Sequence, residues 1–271
     1  MKRCLILFLA LMFLSLPALG QKEEDVSLFA LPGLTAAPAQ SPEPAPQPQV
    51  QPSPQPPPTG DEAARTELID GIIREARALF DKANGRPQRA HYAGDIYVCK
   101  NFTVHVFKAN SGAFRLAAYP EAELIIPNNL SREASKPFSY GIAWEDIAPE
   151  AGNPFYAAHS FYYDPDQSAQ ENRQRALLFM QQVQRGDFFQ MSANYHYGVG
   201  AHSLIFTQDY DPLTQAVTWT DSNMNGIKRD GLRYGYVQFD ALREIDWFVD
   251  AFCQRGRGAT LYRLREDIIK P

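Results

Sequence analysis

The chain has 271 residues, 26 basic against 31 acidic side chains, and a formal net charge of −5. This balance argues against a nucleic-acid partner, which leaves a basic footprint, and against adhesion to anionic lipid. It leaves open polymers with amide and sugar groups, such as a cell wall.

The chain opens "MKRCLILFLALMFLSLPALG". Lys2 and Arg3 precede an apolar run over 4–16, then Pro17 and the small-residue pattern Ala18, Leu19, Gly20. That is the layout of a secretory signal peptide over 1–20, cleaved near Gly20. The run is too short for a comfortable membrane span, which leaves a signal-anchor as the lesser alternative. No stable membrane insertion is expected after cleavage, and the mature protein belongs in the periplasm, at the cell surface or in the medium. Loss of Lys2 and Arg3 leaves 24 basic against 31 acidic residues, a charge near −7. It also leaves two cysteines, Cys99 and Cys253.

Residues 21–60 hold eleven of the chain's 21 prolines, all between Pro32 and Pro58. Such a segment cannot bury a core and favours extended polyproline geometry; it reads as a linker, either a semi-rigid spacer or a plain disordered tail. The folded domain is expected over 61–271. "DEAARTELIDGIIREARALFDKANG" sets Leu68, Ile72, Ala76 and Phe80 on one face, with Ile73 and Leu79 beside it. Acidic residues crowd its start and Gly85 follows its end, as in an amphipathic helix. A second helix is predicted to begin around Val98 to Asn101 and run through "CKNFTVHVFKAN". Residues 111–165 read as a long irregular insertion, with "ELIIP" as a strand candidate. A third helix is predicted over 168–184, with Gly186 past its end.

Strands are predicted from there on. "DFFQMS" (187–192), "HSLIFTQ" (202–208) and "AVTWTDS" (216–222) are short β-rich runs, and "YDP" between the last two predicts a hairpin. "KRDG" (228–231) marks a turn before "LRYGYVQF" (232–239). "ALREIDWFVDAF" (241–252) reads as helix, and "GATLYRL" (258–264) as a returning strand. Helices followed by an antiparallel meander predict an α+β fold.

One set of residues carries chemistry. A thiol at the start of a helix, as expected for Cys99, meets the positive end of the helix dipole and backbone N–H groups. Both favour thiolate, and the same N–H groups suit an oxyanion. His202 opens a strand after Gly198 and Gly200, where a substrate can approach closely. Asp221 and Asn223 alternate onto one face of the neighbouring strand. Either one there accepts from one imidazole nitrogen and leaves the other facing the thiol.

The order of a Cys at a helix start, a His on a strand, then an acid or amide on the next strand resembles the papain-like cysteine hydrolases. "RGDFFQMSANYHYGVGAHSLIFT" and "HSLIFTQDYDPLTQAVTWTDSNM" are similar, more narrowly, to the strands around the catalytic histidine of bacterial NlpC-type and CHAP-type cell-wall hydrolases. The resemblance implies a papain-like fold, nucleophile Cys99, base His202, and orienters Asp221 and Asn223. It also implies a tyrosine near the oxyanion hole, Tyr92 or Tyr97 with preference for Tyr92, and peptidoglycan or another peptide as substrate. No cofactor is implied. The chain departs from those families in having Lys100 and Asn101 after the cysteine and a long stretch before Gly186.

Other readings stand beside this one. Cys99 alone reads equally as a buried structural thiol or as half of a Cys99–Cys253 disulfide. His105, six residues on along the helix, faces away from Cys99. His196 lies in a loop. His196, His202, Asp187 and Asp221 lack any metal-ligand spacing, so no metal site is expected. Tyr195 and Tyr197 beside the glycines are candidates for a substrate wall. The functional readings are an exported cysteine amidase or peptidase, a non-catalytic cell-wall or protein binding module on the same scaffold, and a disulfide-stapled interaction domain.

Overall fold

The computed structural model describes residues 60–90, 95–126, 148–191, 202–229 and 231–271. The proposed signal peptide, nearly all of the proline-rich linker, and residues Tyr92, Tyr195, His196 and Tyr197 lie outside them.

Helix α1 (Gly60–Ala83) buries Leu68, Ile72 and Ala76, spaced four apart, together with Ala64, Leu79 and Ala83. Asn84 and Gly85 end it with positive φ values of 49° and 66°. Strand β1 (Gln88–Arg89) leads to helix α2 (Cys99–Ser111) and strand β2 (Arg115–Leu116). Strand β3 (Phe155–Tyr162) is followed by helix α3 (Ala169–Met180), which opens on a reciprocal cap: Glu171 N–H donates to Ser168 Oγ and Ser168 N–H to Glu171 Oε2. Strands β4 (Phe188–Met191), β5 (His202–Phe206), β6 (Ala216–Arg229) and β7 (Leu232–Glu244) follow. Helix α4 (Ile245–Phe252) and strands β8 (Gly258–Leu264) and β9 (Ile268–Ile269) come last.

Seven strands form one antiparallel sheet in the order β1-β7-β6-β5-β4-β8-β3; β2 and β9 pair separately. The α+β class therefore holds. The sheet is covered on both faces, and alternation within a strand divides it between two cores. Phe188 and Ile205 join a core with α1 and α2, while Phe189, Leu204 and Phe206 join one with α3 and α4. This explains why β4 and β5 read as near-continuous apolar runs rather than as alternating ones. Phe189 meets Phe206 and Phe248 edge-on or tilted at 5.8 and 6.0 Å between ring centroids, filling the second core with aromatic volume. Among the described residues no helix is long and apolar enough to cross a membrane.

Several expectations need correction. Residues 111–165 are not irregular throughout, because β3 forms an edge of the main sheet against β8. Its register shifts between Ala157 and His159, which breaks the period-two pattern that would have announced it. Leu124 and Ile126 of "ELIIP" are buried in the first core but form no strand. Residues 241–244 belong to β7 rather than to a helix: Ala241 to Glu244 pair with Trp219 to Ala216, and cross-strand pairing overrides local helix preference. The helix begins only at Ile245.

Candidate active site

Cys99 is the first residue of α2. The residue before it, Val98, is extended at φ −102° and ψ 139° and offers no side-chain cap to the helix. With no side-chain acceptor from Val98, the sulfur takes part of that role and accepts the Lys100 N–H. The segment leading into Cys99 is tied at two points. Asn101 Nδ2 donates to Asp95 O at 2.9 Å, and Ser222 Oγ of β6 donates to Tyr97 O at 2.8 Å. The approach to the sheet is close enough that a Cβ on Gly235 of β7 would lie 2.7 Å from Tyr97 O. Glycine is required there because a side chain would displace the segment that carries the thiol.

His202 is the first residue of β5 and only 4% exposed. Its Nε2 stands 2.6 Å from Asp221 Oδ2, and Asp221 is fully buried on β6. The imidazole also hydrogen-bonds the Cys99 sulfur. With Nε2 taken by Asp221, Nδ1 is the nitrogen left for the thiol, so sulfur, imidazole and carboxylate stand in series. Among the described residues the ladder between β5 and β6 pairs Ile205 with Thr220 and Phe206 with Trp219. Towards the start of β5, the Ser203 N–H donates to the Cys99 sulfur. Behind it, Gln190 of β4 braces the same peptide unit. Its Nε2 donates to His202 O at 3.1 Å, and its Oε1 accepts from Ser203 Oγ at 2.6 Å.

Burial acts to raise the Cys99 pKa. The hydrogen bond and positive charge of His202, with the Ser203 and Lys100 N–H groups, outweigh it, and the thiol lies below its ordinary value. For His202, burial acts downward, but hydrogen bonds and charges from Asp221 and Cys99 raise it, to about 10. Both directions favour a thiolate–imidazolium pair. Burial brings the Lys100 ammonium below its usual value, partly countered by the Cys99 charge.

Cys253 differs in its surroundings and in the direction of its pKa shift. It is a free thiol that packs against the second core, and burial pushes its pKa up. Cys99 is likewise free, so the candidate disulfide is not formed. Asn223 does not hold the ring nitrogen that Asp221 takes. It pairs across the strands with Tyr236, and its Nδ2 is buried with no hydrogen-bond partner among the described residues. Tyr97 is partly buried against the first core, and its carbonyl accepts from Ser222. His105 Nε2 lies 3.4 Å from Glu75 on α1, away from the site. Asp187 is engaged by Arg263, with Nε and Nη2 each 2.8 Å from its carboxylate.

Three contributors carried no mark in the sequence. Ser203 acts through its backbone, Gln190 through a peptide unit on the next strand, and Gln238 through a hydrogen bond to Asp221. The adjacency of Ser203 to His202 was the only available hint.

Fold and site together define an α+β domain carrying a Cys–His–Asp series in which His202 and Asp221 are buried and Cys99 is half-buried. No protein-family model matches the chain, and no curated protein or solved structure matches it either.

Proposed function

We propose that the protein is an exported cysteine amidase or peptidase of papain-like architecture, acting on peptidoglycan peptides. The observation that carries the reading is the series Cys99, His202, Asp221, with the thiol pKa lowered at an uncapped helix start. A structural thiol needs neither an imidazole nor a buried carboxylate behind it.

The Cys99 thiolate adds to the substrate carbonyl carbon, and the carbonyl electron pair moves onto oxygen. Backbone N–H groups at the start of α2 stabilise that oxyanion. As the tetrahedral intermediate collapses, His202 gives its Nδ1 proton to the leaving amine and the C–N bond breaks. A thioester on Cys99 remains. Water then attacks the thioester while the neutral imidazole takes its proton. The carboxylic acid departs, and the thiolate–imidazolium pair is restored. Asp221 holds the ring through Nε2 and stabilises its positive charge. The acidic mature chain and the proline-rich segment ahead of the domain suit action within a wall polymer better than on nucleic acid.

The test is to incubate the exported protein with purified peptidoglycan fragments and follow new amino termini by mass spectrometry. Cleavage that disappears in Cys99→Ala supports the reading. Cleavage unchanged in Cys99→Ala, or wall binding with no cleavage at all, replaces it with the binding-module alternative.

A further inference from the structure

The Asp221 carboxylate has two oxygens, and the series from Cys99 uses one. Oδ2 faces His202, while Oδ1 accepts from Gln238 Nε2 of β7 at 3.1 Å. A buried carboxylate held by a single donor is free to turn about its last side-chain torsion and is poorly solvated. A second donor on the other oxygen fixes the plane of the group and supplies the interaction that water would otherwise give.

Gln238 reaches this place through an irregularity in the sheet. Trp219 pairs with Ala241, but Asp221 pairs with Gln238, so Phe239 and Asp240 of β7 lie opposite Thr220 alone. Asp240 takes the extra residue in left-handed conformation, φ 48°. A regular ladder would set Phe239 across from Asp221. Instead Phe239 packs on the first core beside Phe80, with the Arg77 guanidinium 5.3 Å from its ring centroid. Two hydroxyls pin the bulge. Thr220 Oγ1 donates to Gln238 O at 2.8 Å, and Thr207 Oγ1 to Asp240 Oδ1 at 2.7 Å.

We infer that Gln238 is a positioning residue for the hydrolytic site, and that the bulge at Phe239 and Asp240 exists to bring it to Asp221. It acts through Asp221 on His202 and touches no reacting atom. The inference rests on the hydrolase reading. The charged groups that bear on the thiolate are His202 and Lys100, with Asp221 acting through the imidazole.

Alkylation of Cys99 by iodoacetamide, followed against pH by peptide mass spectrometry, tests it without a substrate. Gln238→Met keeps the chain length and removes the donor. Its Cys99 should label about 10-fold more slowly near pH 6, as expected for loss of one hydrogen bond to a charged group. Its midpoint should move towards that of an ordinary thiol, alongside the fall in unfolding temperature expected from leaving Asp221 Oδ1 without its donor. A purely structural role would lower the unfolding temperature and leave the labelling midpoint in place.

Gln238→Glu supplies the second arm, which holds if the methionine variant does not fold. Two facing carboxyls share a proton, so labelling should gain a descending limb as that proton is lost. Wild-type profiles in the folded variants overturn the inference and leave the hydrolase reading intact. An ordinary thiol midpoint in the unaltered protein overturns both.

Discussion

His202 Nε2 lies 2.6 Å from Asp221 Oδ2, and the same ring hydrogen-bonds the Cys99 sulfur. Three groups from α2, β5 and β6 are thereby joined into one hydrogen-bonded series. The contact does two things. It fixes which nitrogen faces the thiol, and it places a negative charge behind the imidazole, which favours the charged ring.

The first expectation concerns the two thiols. Cys99 is lowered and Cys253 raised. Cys99 should therefore alkylate with a midpoint below the usual thiol range of about 8.5, and Cys253 with one above it. Hydrolytic activity should rise as Cys99 loses its proton and fall on the alkaline side as His202, raised to about 10, loses its own. Site-resolved labelling and a pH–rate profile measure the two limbs. Equal midpoints for both cysteines contradict the expectation.

Asp221→Asn keeps size and removes charge. Activity should drop by a factor of roughly 10² to 10⁴, the range that acid–base catalysis contributes. His202→Ala acts differently on stability, because it strands a buried carboxylate. It should cost about 3 kcal/mol, and the double variant with Asp221→Ala should recover part of that loss. Denaturant melts of the two single variants and the double one give the coupling. Strict additivity contradicts the contact.

Gly235→Ala tests the seat of Cys99. The added Cβ would fall 2.7 Å from Tyr97 O and 3.0 Å from Asn223 O, both backbone atoms that cannot yield alone. Destabilisation of about 1–3 kcal/mol is expected, with slower Cys99 labelling. Gly231→Ala serves as the control. It has open space around it and a φ of 74°, so it should carry backbone strain alone and leave labelling unchanged.

Arg263→Met probes the buried pair away from the site. Asp187 is fully buried, and burial raises its pKa against the pull of Arg263. A carboxyl raised in the folded state adds stability at low pH and loses it as pH rises through the folded value. Removing Arg263 strengthens that tendency. The variant's deficit should be larger near pH 7 than near pH 4, where protonation relieves the unpaired charge. A deficit independent of pH contradicts the assignment.

Much of this protein follows from local pattern. The apolar spacing of Leu68, Ile72 and Ala76 declares α1, and the helix expected over 168–184 forms as α3 but ends at Met180. The strand after "YDP" declares a hairpin, because turn chemistry and period-two alternation are properties of neighbours along the chain. Cys99, His202 and Asp221 were legible as candidates, since each sits at a helix start or in a strand where local structure places it. Three-dimensional packing decided the rest. Asp221 faces His202, while the amide donor of Asn223, two residues on, has no partner among the described residues; strand register sets that choice, and it depends on both neighbouring strands. Gln238 stands beside Asp221 only because one extra residue in β7 shifts the ladder by a single step. A one-residue bulge between two paired strands has no signature in either strand alone, so only the folded sheet could assign it.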